Sequence, residues 1–106
     1  MLYDPKWTRR PKTKAAVYRA AAQAIEEHGH ALHMLRDERG RMCLWGAINF
    51  VVNGDPLSLK GDTRGKYLDP LRPLIRGKHP VVWNNRVSRR KADVVRLLRR
   101  AALIHS

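Results

Sequence analysis

Between residues 42 and 52 the chain reads MCLWGAINFVV, apolar almost all round. At a helical period Leu44, Ile48 and Val51 share one face, flanked by Cys43, Ala47 and Phe50. A helix apolar on nearly every side has to be covered on nearly every side. The rest of the 106 residues must therefore wrap this segment. Gly46 costs such a helix about 1 kcal/mol relative to Ala, which predicts a close packing contact there. Asn53-Gly54-Asp55-Pro56 ends it.

Two amphipathic segments are available as covers. The first helix is expected over residues 13–28. Thr13 is its N-cap, and Val17, Ala21, Ala24, Ile25 and His28 form one stripe. The alanines between residues 20 and 24 permit close approach of a neighbour, and Gly29 stops the helix. The last helix is expected over 88–103 with Ser88 as N-cap. Val94, Leu97, Leu98 and Ala101 form its buried stripe, beside Val95, Ala102 and Ile104. Arg89 and Asp93 are spaced for an i,i+4 ion pair, whereas Arg96 and Arg100 repel at the same spacing.

Residues 30–41 read as a connection with apolar anchors at Leu32, Met34 and Leu35 and a polar turn at Arg36-Asp37-Glu38-Arg39-Gly40. A small hairpin near 32–43 is compatible with this stretch. Between residues 55 and 80, Asp69 and Pro70 open a short helix with Tyr67, Leu68, Leu71, Leu74 and Ile75. Pro73 keeps that helix short. The front of the stretch, SLKGDTRGK, reads as mobile and basic, and HPVVW as extended. Trp83 is expected in the core, with Trp45 as its partner. The fold class is thus mainly α: a compact bundle of three main helices plus a short fourth. Residues 1–12 form a basic arm and 13–106 one helical domain.

Charge separates the functional classes. Twenty-two Lys and Arg against nine Asp and Glu give +13. A field of that sign attracts polyanions. The candidate phosphate contacts are Lys6, Arg9, Arg10, Lys12 and Lys14 on the arm, and Arg86, Arg89, Arg90, Lys91 and Arg96 at the last helix. Arg89, Arg90 and Lys91 gather where the helix dipole disfavours cations, a cost that a bound anion would remove. The arm admits two readings: Trp7 stacks on a base while the cations lie on phosphates, or Tyr3 and Trp7 fold back to cap the core. No helix-turn-helix pair is evident, so little base specificity is expected.

Other chemistries are weaker. Cys43, the lone cysteine, excludes an internal disulfide and fits a reducing cytosol. As a nucleophile it would need access and a His within reach, but its apolar surroundings favour a structural role. His28, His30 and His33 span a helix end without a metal-site spacing, so neither a metal nor a cofactor is expected. The acids form no catalytic pair, and KGDTRGK lacks the spacing of a phosphate-binding loop. Asn84-Asn85 is read as a turn or cap rather than a base reader. No signal peptide or membrane span is evident, and a cytoplasmic, non-enzymatic protein is expected. The principal alternative is a protein-interaction factor with an apolar patch ringed by Arg, binding or inhibiting a host protein.

Four patterns carry a resemblance: Glu27-His28-Gly29, Gly40-Arg41-Met42-Cys43-Leu44-Trp45-Gly46-Ala47, Val81-Val82-Trp83-Asn84-Asn85, and Leu97-Leu98-Arg99-Arg100-Ala101-Ala102. In this order they resemble a family of small actinobacterial and actinophage proteins of unknown function. The resemblance implies that setting and a closing apolar helix; it brings no activity. The chain departs from the pattern at Asn85, where the family has Asp, and at Arg90, where it has the Thr that opens the last helix.

Overall fold

A computed structural model describes residues 10–106. The arm's Lys6, Arg9, Tyr3 and Trp7 lie outside the described residues. The described chain is mainly helical, with α1 over Lys14–His28, α2 over Leu44–Asn53, α3 over Pro80–Asn84 and α4 over Lys91–Ile104. A π-helical turn, Arg64–Leu68, runs directly into a 3-10 segment, Asp69–Ile75. The three main helices and the short helical segment opened by Asp69 and Pro70 make up the expected bundle, to which α3 is an addition.

The apolar segment is the centre of the fold. Leu44, Ala47, Ile48 and Val51 of α2 are buried, and Phe50 is half-buried. Packed around them are Val17, Tyr18, Ala21 and Ile25 of α1, Leu68, Leu71 and Ile75, and Val94, Leu97, Leu98 and Ala101 of α4. The most extensive helix contact is between α1 and α4, and the small side chains Ala21, Ala22, Ala101 and Ala102 are all buried. The two helices run antiparallel. The Tyr18 ring lies 5.6 Å from that of His105 at one end, and Glu26 lies 4.0 Å from Lys91 Nζ at the other. Tyr18, not part of the expected stripe, is buried and donates its hydroxyl to the Tyr67 carbonyl at 2.7 Å. Burial, with Tyr67 adding to it, pushes its pKa far above the ordinary value.

The ends of α1 fall where expected: Thr13 Oγ1 accepts from Ala16 N, and Gly29 follows the helix at φ 97°. His28, expected in the buried stripe, is exposed and turns its ring edge to Phe50. For α2 the N-cap is Cys43, whose Sγ accepts from Gly46 N at 3.3 Å. The 3-10 segment opens at Asp69 and Pro70, as its sequence implies.

Several expectations are corrected. The last helix starts three residues later than Ser88, with Arg90 as N-cap. Arginine has no acceptor to offer the helix, and Asp93 instead reaches back to accept the Arg90 N–H at 3.0 Å. The Arg89–Asp93 pair is absent: Asp93 lies 3.7 Å from Arg96, and Arg89 stacks on Trp83. HPVVW is helical from Pro80 onwards, because His79 caps it by accepting from Val81 N and Pro80 suits a first turn. Ile104 and Met34 are exposed. No hairpin forms at 32–43; Met42 makes isolated bridges to His30 and Arg36. Trp45 and Trp83 are only partly buried, both packed against the core, and Trp45 Nε1 donates to Thr63 Oγ1. SLKGDTRGK is tethered rather than loose: Asn53 Nδ2 donates to the carbonyls of Ser58 and Lys60, and buried Thr63 donates to Asn49 Oδ1.

One buried amide joins the layers. Asn84, at the end of α3, is 1% exposed. Its Oδ1 accepts from Leu44 N at the start of α2 and lies 2.7 Å from His30 Nε2. Its Nδ2 donates to the Ala31 carbonyl and to Asn85 Oδ1. Gly46 supplies the predicted close contact: a Cβ there would lie 1.9 Å from the Leu35 carbonyl oxygen.

Two substitutions test these joints. Gly46→Ala is expected to lower stability by about 1–3 kcal/mol in denaturant titration, because the backbone clash outweighs alanine's propensity gain of about 1 kcal/mol; a stabilised variant would contradict the contact. Asn84→Leu keeps the branched outline of the side chain, with somewhat more bulk, and orphans buried polar groups on two segments. A loss of about 3 kcal/mol is expected, and a change under about 0.5 kcal/mol, typical of a surface site, would show that the amide is dispensable.

Candidate anion-binding cleft

The loop from 29 to 43 is shaped by Asp37. Its Oδ1 accepts from Arg39 N and Arg41 N, and its Oδ2 pairs with Arg41 Nε. Burial works to raise the carboxyl pKa, but Arg41's side-chain and backbone hydrogen bonds, with Arg39 N, overcome it and hold the pKa below the ordinary value. The Arg41 stem lies against Gly29, where a Cβ would approach Arg41 Cγ to 2.8 Å. The loop is fastened to α3 by Asn84 and by Asn85, whose Oδ1 accepts from His33 N at 2.7 Å.

Between this loop and the start of α4 lies a cleft of about 670 Å³. Its cationic walls are Arg41, Arg89, Arg90 and Lys91, with His30 and Asp37 beside them. Their states differ. Arg41 is paired with Asp37, and Lys91 stands 4.0 Å from Glu26. Arg89 lies over the Trp83 ring, 3.8 Å from its centroid, and donates from Nε to the Trp83 carbonyl. Arg90 is exposed and forms no ion pair among the described residues. The cleft therefore carries an excess of positive charge and suits an anion.

His30 contributes a titratable wall. The Asn84 oxygen can only accept, so His30 Nε2 is the donor. Burial pushes the imidazole pKa below its ordinary value, and the charge of Arg89 pushes the same way; the Asn84 hydrogen bond and Asp93 oppose without reversing the shift.

The candidate cations are only partly brought together. Arg89, Arg90 and Lys91 share the cleft; Arg86 lines an adjoining groove with Arg89; Arg96 lies along the outer face of α4. Lys12 and Lys14 stand at the start of α1, and Arg10 just before it. Because α1 and α4 are antiparallel, those three lie at the far end of α1, about 20 Å away along its 15 residues. Arg41 was not among the candidates, although it stands in the Gly-Arg-x-Cys pattern. Cys43 is buried, and burial raises its thiol pKa despite hydrogen bonds from backbone N–H groups. Among the described residues no His, Cys, Asp or Glu cluster could hold a metal. No helix among them is long and apolar enough to cross a membrane.

Fold and site define a small, mainly helical protein with a cation-lined cleft where a surface loop meets a helix start. Residues 9–103 match a family of unknown function (DUF6197), and the chain belongs to that family. No curated protein and no solved structure matches it. At the two positions where the resemblance led to the expectation of Asp and Thr, the structure gives the side chains present distinct places. Asn85 acts through Oδ1 as an acceptor, which Asp would do equally well. Arg90 occupies the N-cap position, where Thr would bond the helix and Arg cannot.

The His30 shift has a directional consequence. Its folded pKa lies below its unfolded value, so the unfolded chain binds the proton more readily. The contribution to stability is intact above pH 6.5 and is lost as pH falls from there towards the folded pKa. Urea midpoints measured on either side of that pH should fall more for the native protein than for His30→Gln, which keeps a donor for Asn84. Equal falls would exclude His30 as the source.

Proposed function

We propose that this protein acts by binding a polyanion, most simply the phosphates of nucleic acid, with little sequence specificity, and that it is not an enzyme. The observation that carries the reading is the convergence of Arg41, Arg89, Arg90 and Lys91 on one cleft at a helix start. The net charge of +13 supports it by drawing polyanions to the surface. So does the N-cap: Arg90 gives up a hydroxyl cap and adds a guanidinium beside the positive end of the helix dipole, a local sacrifice that an anion in the cleft would offset. The buried thiol of Cys43, used as a helix cap, favours binding over catalysis. The setting proposed from the family resemblance is an actinobacterial or phage accessory protein in the cytoplasm.

A second reading has its own observation. At the end of α4, Leu103 is 77% exposed and shares a groove with Arg96, Arg99 and Arg100. That surface suits an acidic partner protein, such as a host factor.

Arg90→Thr separates stability from binding at one position. A cap of this kind is worth about 1 kcal/mol, so the variant should be that much more stable. Its affinity for labelled DNA or RNA should fall, and the slope of log K against log salt should lessen by about 1, one phosphate contact. The same change at Lys60, exposed and outside both the cleft and the candidate set, serves as control. Unchanged affinity and slope in Arg90→Thr would move the search to the α4 groove and to partner proteins.

A further inference from the structure

Beside the cationic cleft is a second groove of about 580 Å³, and Arg89 lines both. It is lined by Trp83, Val82 and Val87, with Lys78 and Arg86 alongside. Val82 is 67% and Val87 90% exposed. Phosphates gain nothing from such an apolar wall, whereas the flat face of an unstacked base does. Arg89 is the shared ridge. One face of its guanidinium rests on the Trp83 ring, and Nε is fixed on the Trp83 carbonyl at 2.9 Å. The guanidinium is thus held where the two grooves meet, so that a base in one and a phosphate in the other would both reach it. Asn85 stands at the same groove with its Oδ1 committed to His33 N and Asn84 Nδ2, which leaves its amide N–H groups as donors for a base edge.

We infer that the ligand of this surface is a single-stranded nucleic acid, its phosphate held in the cleft by Arg41, Arg90 and Lys91 and the adjacent base stacked on Arg89 in the Trp83 groove. The inference rests on the phosphate-binding reading above and goes beyond it. A duplex keeps its bases stacked inside and could use only the cleft. A base-stacking groove next to a phosphate cleft selects an open strand, and stacking tolerates different bases.

The test uses the full chain and four labelled probes at one salt concentration: a short oligothymidylate, the oligouridylate of equal length, an abasic strand of equal length and charge, and a duplex of that length. Both base-bearing strands should bind at least about tenfold tighter than the abasic strand, the gain from stacking one base. Arg89→Lys, which keeps the charge and loses the plane, should bring their affinity down to the abasic value. Its melting curve shows whether the variant folds; if it does not, the abasic comparison on the native protein decides. Preference for one of the two base-bearing strands would assign DNA or RNA as the source. Salt-sensitive binding of the abasic strand equal to that of the base-bearing strands overturns the base site and leaves the phosphate cleft standing. No binding of any probe overturns both.

Discussion

The architecture depends on the side-chain amide of Asn84. It lies where three segments meet without regular pairing: the start of α2, the loop after α1, and the end of α3. The first N–H groups of a helix lack partners within it, and a buried start needs one from elsewhere. Asn84 supplies it to Leu44, and with its other end it holds the Ala31 carbonyl. A buried polar side chain with both ends committed specifies one arrangement, because every alternative leaves buried groups unbonded. Gly46 acts with it. Only a residue without a Cβ lets the loop carbonyl of Leu35 press on α2.

The cleft is a consequence of that arrangement. The loop carrying Arg41 is brought to the start of α4 by the bonds of Asn84 and Asn85. Arg89 is fixed by Trp83, one residue before Asn84. The same few residues thus build the joint and orient the cations. Charge that looks continuous in the sequence becomes partitioned in space. Arg10, Lys12 and Lys14 lie towards one end of the molecule, and Arg89, Arg90 and Lys91 towards the other, because the two helices run antiparallel. A net charge describes the long-range field, whereas binding depends on which charges converge and which are already paired.

Much of the helical frame was legible in residue order. Helical periodicity placed α1, α2 and α4, and Thr13, Gly29 and Pro70 marked three ends through backbone chemistry that acts locally. The cost of Gly46 in a helix pointed to a close contact, though not to its partner. The errors came from long-range effects. Ser88 is a good local cap, yet the helix begins later, because Arg89 is held back by the Trp83 ring. HPVVW reads as extended by composition but closes into a helical turn once His79 and Asn84 bond its two ends. The role of Arg41 has no local signature, because its neighbour in space, Arg90, is far away in sequence.

The sequence by itself determined that this chain is helical, that its central segment must be covered, and that its surface is strongly positive. These properties follow from side-chain periodicity and composition, which act residue by residue. Only the tertiary structure decided which cations meet. It made Asn84 a buried joint rather than a turn, paired Arg89 with Trp83, and set Arg41 across from Arg90 and Lys91. Those outcomes depend on hydrogen bonds and packing between segments far apart in the chain, and no local pattern encodes such distances.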